Sequence, residues 1–169
     1  MKQKRGVLVS IAMGSDSDLP VLSEAITILK EFDVTYEAVL TSAHRSPERT
    51  AAYAEGAAER GVKVIIAGAG AAAHLAGVIA SRTTIPVIGV PIDSTPLAGL
   101  DALLSTVQMP GGVPVASMAV GKAGAKNAAL MAVRILALGD DALREKLAAY
   151  AAKMARDVEK KQEKVDCLS

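Results

Sequence analysis

Aromatic residues are nearly missing from this sequence, which has no Trp, one Phe and three Tyr in 169 residues. A site in such a chain works without a stacking platform, which argues against flavin sandwiches and single-strand nucleic-acid readers. Cysteine is as scarce: the single Cys167 rules out an intramolecular disulfide and fits a reducing, cytoplasmic setting. Neither sign of charge dominates. Lys+Arg number 19 and Asp+Glu 18, a net charge of +1, so generic nucleic-acid or polyanion binding is disfavoured. No apolar stretch approaches the roughly 20 residues of a membrane span without Gly, Pro or charge. The basic start MKQKR leads into a short apolar run that GSDSD ends at once, which reads as a first strand and not as a signal peptide.

What the chain has is alanine, 32 residues of it, within an apolar content of 51% against 22% charged. That balance describes a folded chain with room for one domain and one core. Small side chains bury little area each yet let helices and strands approach closely, so the monomer is expected to gain from self-association.

Short β-branched runs alternate with helix-period segments from end to end. The predicted strands are 7–13, 34–40, 64–67, 86–90 and 113–120. The predicted helices are 19–32, about 47–60, about 73–82, 100–107, 126–138 and 141–161, the last two divided at Gly139. This alternation implies βαβ units: an α/β single-domain three-layer sandwich around a parallel five-stranded sheet, flavodoxin-like in plan. One domain is expected over 1–169, with a helical extension at about 140–165 whose charged run 153–164 is a solvated face or an inter-subunit arm.

In open parallel sheets ligands bind at the carboxyl ends of strands, so the loops after each strand carry the functional question. Gly14-Ser15-Asp16-Ser17-Asp18 opens a helix and suits either phosphate binding or simple capping by Ser17 or Asp18 with Pro20 in the first turn. Asp18 is the carboxylate better suited to sugar hydroxyls. Ser42-Ala43-His44-Arg45-Ser46-Pro47 offers a bidentate guanidinium, two hydroxyls and an imidazole, the side chain best suited to acid/base work near neutral pH. Its bland alternative is a polar loop with Ser46 as a cap before Pro47. Gly68 to Leu75 lets backbone approach a ligand closely, and His74 is either a ligand contact or a helix-start histidine bonded to backbone. Dinucleotide, Walker and nucleophile-elbow motifs are absent, no metal-ligand spacing occurs, and strand three ends without a phosphoacceptor aspartate. The residues by themselves point to a phosphorylated small molecule held by Ser15, Ser42 and Arg45, with His44 moving protons.

The same residues closely resemble the PurE family of purine biosynthesis in its class I form, the N5-carboxyaminoimidazole ribonucleotide mutases. MGSDSD, SAHRSP and AGAGAAAHLAG match the family's first three loops, and STVQMPGGVPVASMAVGKAGAKNAALMAVRILAL looks like its long C-terminal signature. The resemblance implies an isomerase without metal or other cofactor that shifts a carboxyl group from the exocyclic nitrogen to C4 of the imidazole. It implies His44 as the catalytic acid/base, Ser15, Ser42 and Arg45 at the phosphate, and Asp18 at the ribose. Ala69, Gly70, Ala73, His74 and Leu75 would wall the carboxylate pocket. An octamer in the cytoplasm, with a small ribonucleotide substrate and no nucleic-acid or membrane partner, follows from the same likeness. Alternatives are a class II aminoimidazole ribonucleotide carboxylase using free carbon dioxide, or a non-catalytic nucleotide-binding subunit. Two positions depart from the family pattern: Leu19 stands where many members have Trp, and Ala71-Ala72-Ala73-His74-Leu75-Ala76-Gly77 replaces Gly-Gly-Ala-His-Leu-Pro-Gly. A positive φ at Ala71 would cost about 1 kcal/mol.

Overall fold

Strand β1 (Val9–Met13) is buried along its whole length, as a central parallel strand covered on both faces must be. The computed structural model to which it belongs describes residues 6–166; the basic start and Cys167 lie outside them. Helix α1 (Leu19–Glu31) places Pro20 in its first turn and buries Leu22, Ala25, Ile28 and Leu29 on one face. Then follow β2 (Tyr36–Leu40), α2 (Pro47–Glu55), β3 (Val64–Gly70), α3 (Leu75–Ala80), β4 (Val87–Ile92), α4 (Leu100–Val107), β5 (Ala116–Ser117), α5 (Gly121–Leu136) and α6 (Asp141–Asp166).

The five strands are parallel in the order β2-β1-β3-β4-β5, the flavodoxin-like arrangement, and helices cover both faces of the sheet. Register sorts the side chains. Ser10, Ala12, Ile65, Ala67, Val87 and Gly89 share the face that meets α2, α3 and α4, whereas Gly68 lies under Leu22 of α1 on the other. Small residues let these layers close up: a Cβ on Gly68 would stand 2.8 Å from Leu22, and one on Gly89 would overlap Thr106 at 2.3 Å. On the α1 side, Lys126 of α5 pairs with Glu24 at 3.3 Å.

Several boundaries differ from the sequence expectation. Strand β3 runs on to Gly70 because Ala69 and Gly70 stay in register with Pro91 and Ile92. Strand β5 shrinks to two residues, since β4 pairs with it only at Ile88 and Gly89 and Pro114 has no N–H to offer a ladder. Helix α2 stops at Glu55 and passes into turns that end at Gly61, whose φ of +90° reverses the chain. Helix α5 starts at Gly121, so the GKAGAK segment expected as loop is helical; its buried alanines and Gly124 supply the packing that composition alone conceals. Helix α3 is shorter than expected at both ends, and α6 runs past 161 to Asp166.

The chain forms two compact units, one through Val133 that contains the sheet and one from Arg134 onward that contains α6. In α6, Arg144 pairs with Asp141 one turn earlier, and residues 151–162 are exposed. No helix among the described residues is long and apolar enough to cross a membrane.

Candidate active site

The chain leaves β1 toward β2 on one side and later enters β3 on the other, so the carboxyl end of β1 is the switch point of the sheet. Backbone bonds fasten the loops there: Gly14 N–H donates to the Gly68 carbonyl at 3.3 Å, and Thr41 N–H to Met13 at 2.9 Å. Between them opens a cavity of about 280 Å³ walled by the loops after β1, β2, β3 and β4.

In the first loop Ser15, and neither Ser17 nor Asp18, is the cap. It heads a single turn of 3-10 helix, Asp16–Asp18, and its hydroxyl receives the Ser17 N–H at 3.4 Å and the Ser17 hydroxyl at 2.9 Å. The Asp18 carboxylate turns back to accept the Ser15 N–H at 2.9 Å, which completes a capping box. Capping and cavity lining thus coexist here, because Ser15, Ser17 and Asp18 all border the cavity. Asp18 is only 4% exposed, and burial pushes its carboxyl above the ordinary Asp value. The backbone N–H groups of Ser15 and Gly14 oppose that rise, Asp16 adds to it, and Arg45 works against it.

The second loop is built around Ser42. Its hydroxyl receives the Arg45 backbone N–H at 3.2 Å and Arg45 Nε at 3.5 Å, while Arg45 Nη2 donates to the Gly14 carbonyl at 3.0 Å. The guanidinium therefore bridges two loops, and its remaining N–H groups make no bond among the described residues. Ser46 does not cap α2 through its side chain; its hydroxyl donates to the Ser42 carbonyl and accepts the Ser42 N–H. His44 borders the cavity, and its Nε2 meets His74 Nδ1 at 2.8 Å with the rings nearly perpendicular.

Of the third loop, Ala69, Gly70, Ala72 and Leu75 border the cavity. Ala73, expected there, is buried beneath the loop, and His74 stands outside that lining, reaching the site through His44. Neither a ligand contact nor a backbone cap describes His74: its side chain makes no capping bond to α3. Ala71 has a φ of +53°, the left-handed conformation. Gly70 is required by space, since a Cβ would lie 1.9 Å from Ser94 Oγ. Ser94, with Gly14, Ser17, Ala43 and Ala72, completes the lining beyond the residues the sequence suggested. The one signal for Ser94 was its place in the loop after β4. Among the described residues no three His, Cys, Asp or Glu side chains gather as a metal site.

A cavity with one guanidinium, several hydroxyls, a buried carboxylate and one imidazole can bind a phosphorylated sugar and move a proton. Known proteins agree with that chemistry. The chain is 58% identical over 159 residues to the N5-carboxyaminoimidazole ribonucleotide mutase of Pyrococcus horikoshii, covering 94% of this chain and 89% of the relative. It is 58% identical over 140 residues to the protein of that name from Bacillus subtilis, covering 83% and 86%. Two crystal structures of Treponema denticola PurE superpose with TM-scores of 0.84 and 0.82 at 28% and 29% identity; both cover 93% of this chain, and 96% and 97% of theirs. The family model for AIR carboxylase matches residues 8–157, which hold every loop of the cavity, and the chain belongs to that family.

Proposed function

We propose that this chain is an N5-carboxyaminoimidazole ribonucleotide mutase of purine biosynthesis. It is an isomerase that carries a carboxyl group from the exocyclic nitrogen to C4 of the imidazole and yields 4-carboxy-5-aminoimidazole ribonucleotide. The observation that carries the reading is the meeting of Ser15, Asp18, Ser42, His44 and Arg45 on one cavity at the switch point. In this reading the phosphate lies against Ser15, Ser42 and the unused N–H groups of Arg45, a charge-assisted contact that favours a dianion. Asp18 accepts ribose hydroxyls. Ala69, Gly70 and Leu75 wall the carboxylate, Ala73 supports that wall from beneath, and His74 acts beside His44.

His44 performs the acid/base work. Its imidazolium gives a proton to the exocyclic nitrogen as the bond from nitrogen to the carboxyl carbon breaks, leaving the amine and carbon dioxide. C4 then attacks the carbon dioxide, and the proton displaced from C4 returns to His44, so protons balance over one turnover. A small-walled pocket keeps carbon dioxide beside C4, where proximity replaces a second collision.

The test is carboxyl migration by the purified protein, followed with a carbon-13-labelled N-carboxyl group. Migration without added bicarbonate is expected; product formed only from the decarboxylated nucleotide and high bicarbonate would make the chain a class II carboxylase. His44→Asn should abolish turnover and leave nucleotide binding intact, and an active variant would overturn the role given to His44. The reading treats the chain as one mutase domain with α6 as its helical extension, assembled as an octamer in the cytoplasm. Leu97, Leu100, Leu104 and Val107, spaced along one side of α4 and the turn before it and between 48% and 61% exposed, support self-association. A monomer mass by sedimentation at micromolar concentration would refute the assembly.

A further inference from the structure

His44 and His74 come from loops 30 residues apart, yet one imidazole nitrogen of each is committed to the other at 2.8 Å. His44 makes no other side-chain bond among the described residues, so Nδ1 is its unengaged nitrogen in a ring that borders the substrate cavity. His74 is held firmly. Ala73 and Leu75 on either side of it are each 2% exposed, the His74 N–H donates to the Ala72 carbonyl at 2.7 Å, and its own carbonyl receives the Val78 N–H. The imidazole of His74 makes no capping bond to α3, which leaves its Nδ1 to His44.

Two neutral imidazoles joined in this way share one proton between the bonded nitrogens, and its location decides what the other nitrogen of His44 can do. Were His74 Nδ1 protonated, Nε2 of neutral His44 would be the acceptor and its Nδ1 would carry the proton, so His44 could give a proton at Nδ1 but not take one. With the proton on His44 Nε2, Nδ1 is a free base in the neutral ring and an acid in the imidazolium. Only this second arrangement serves both halves of a reaction that gives a proton to nitrogen and takes one from carbon. Nε2–H donates to His74 throughout, and only Nδ1 changes.

Resting on the assignment of His44 as the acid/base, we propose that His74 is a positioning residue: its unprotonated Nδ1 fixes the Nε2–H tautomer of His44 and makes Nδ1 the single working nitrogen. A partner that sets tautomer and orientation is a recurrent device in histidine catalysis, and its loss costs orders of magnitude in rate.

The experiment compares the intact protein with His74→Leu, His74→Asn and His44→Asn, each checked for native circular dichroism. His74→Leu removes the acceptor; kcat should fall about thirtyfold or more while KM moves less than about threefold. In His74→Asn the amide oxygen stands near the place of Nδ1, and most of kcat should return. Nitrogen-15 spectra of labelled histidine should show His44 protonated at Nε2 in the intact protein and in His74→Asn, and a mixture of tautomers in His74→Leu. Wild-type kcat in His74→Leu, a His74→Asn variant as slow as His74→Leu, or an unchanged His44 tautomer in His74→Leu would overturn the proposal. If His44→Asn is inactive while His74→Leu is fully active, the assignment of His44 stands and only the role of His74 falls. An active His44→Asn removes both.

Discussion

Ala71→Gly should make this protein more stable, against the usual direction of such a change. With a φ of +53°, Ala71 sits where an L side chain crowds the following carbonyl, at a cost of roughly 1–2 kcal/mol. Glycine removes that crowding but has more freedom to lose on folding, worth about 0.5–1 kcal/mol in the opposite sense. The Ala71 methyl is exposed, so little packing is given up. The balance is a gain of about 1 kcal/mol, or about 2–4 °C in Tm for a chain of this length. Ala98 repeats the situation independently: its φ is +50°, it is exposed, and it lies in the turn before α4. Ala98→Gly should give a gain of similar size, and the two should add, because the sites share no printed hydrogen bond. Ala52 supplies the control, being exposed and inside α2, where glycine should cost about 1 kcal/mol. Urea unfolding and thermal melts at one fixed protein concentration measure all four proteins, the fixed concentration removing any contribution from assembly. Loss of stability in Ala71→Gly, or the same sign for Ala71→Gly and Ala52→Gly, would show that backbone strain at position 71 is not what this reasoning takes it to be.

Arg45→Ala should raise KM about tenfold to a hundredfold with a smaller effect on kcat, since a charge-assisted contact to phosphate is worth about 1.5–3 kcal/mol; steady-state kinetics decide it, and an unchanged KM would place the phosphate elsewhere. Gly70→Ala should destabilise by about 1–3 kcal/mol and weaken substrate binding, because its Cβ would occupy the position of Ser94 Oγ 1.9 Å away; a wild-type melt would contradict the close approach. Tyr53 gives a pH effect. Burial pushes its phenol up to about 12 from an ordinary value near 10, so the protonated ring is favoured in the fold and its stabilisation is complete below pH 10. That contribution is lost as pH rises from 10 through 12. Tyr53→Phe should flatten this alkaline decline in unfolding free energy and, by depriving Ser10 of one partner, lower stability at pH 8 by about 1 kcal/mol; parallel declines in the two proteins would refute the assignment.

Much of the site was legible because its chemistry is local in the chain. Ser42, His44 and Arg45 share one loop, and the rule that ligands sit at the carboxyl ends of parallel strands selected that loop and its neighbours without knowledge of strand order. Contacts between loops were not legible. His44 follows β2 and His74 follows β3; they meet because the sheet places β1 between those two strands, and alternation of elements does not specify an order. Ser94 escaped notice for the same reason, since its contact with Gly70 depends on β3 and β4 running in register as far as Ile92. The start of α5 was misread because Gly121 to Lys126 resembles a loop in composition, and only the burial of Gly124 and Ala125 favours the helix.

The shortage of aromatic residues and the form of the site have one physical origin. A sheet whose faces carry Ala12, Ala67, Gly68 and Gly89 brings its helices close enough that side chains such as Leu22 and Thr106 fill the space a larger residue would need. The same small-residue run continues through Ala69, Gly70 and Ala72 into the cavity wall, which leaves room for a ligand but no flat ring to hold it. Affinity must then come from charge and hydroxyls at the loop ends, and catalysis from the one imidazole bordering the cavity. Such a site tolerates little error in that ring's orientation, because no stacking partner holds it. His74 is the neighbour that restrains it, on a loop fixed by two buried side chains and by an alanine in a conformation suited to glycine. Strain at Ala71 and the order of the His44–His74 pair are therefore linked: relieving the strain with glycine while keeping the turn should leave the His44 tautomer in place. A change that straightens the turn, such as Ala71→Val, should release it, and nitrogen-15 spectra of the two variants would separate a loop that holds the pair from one that merely carries it.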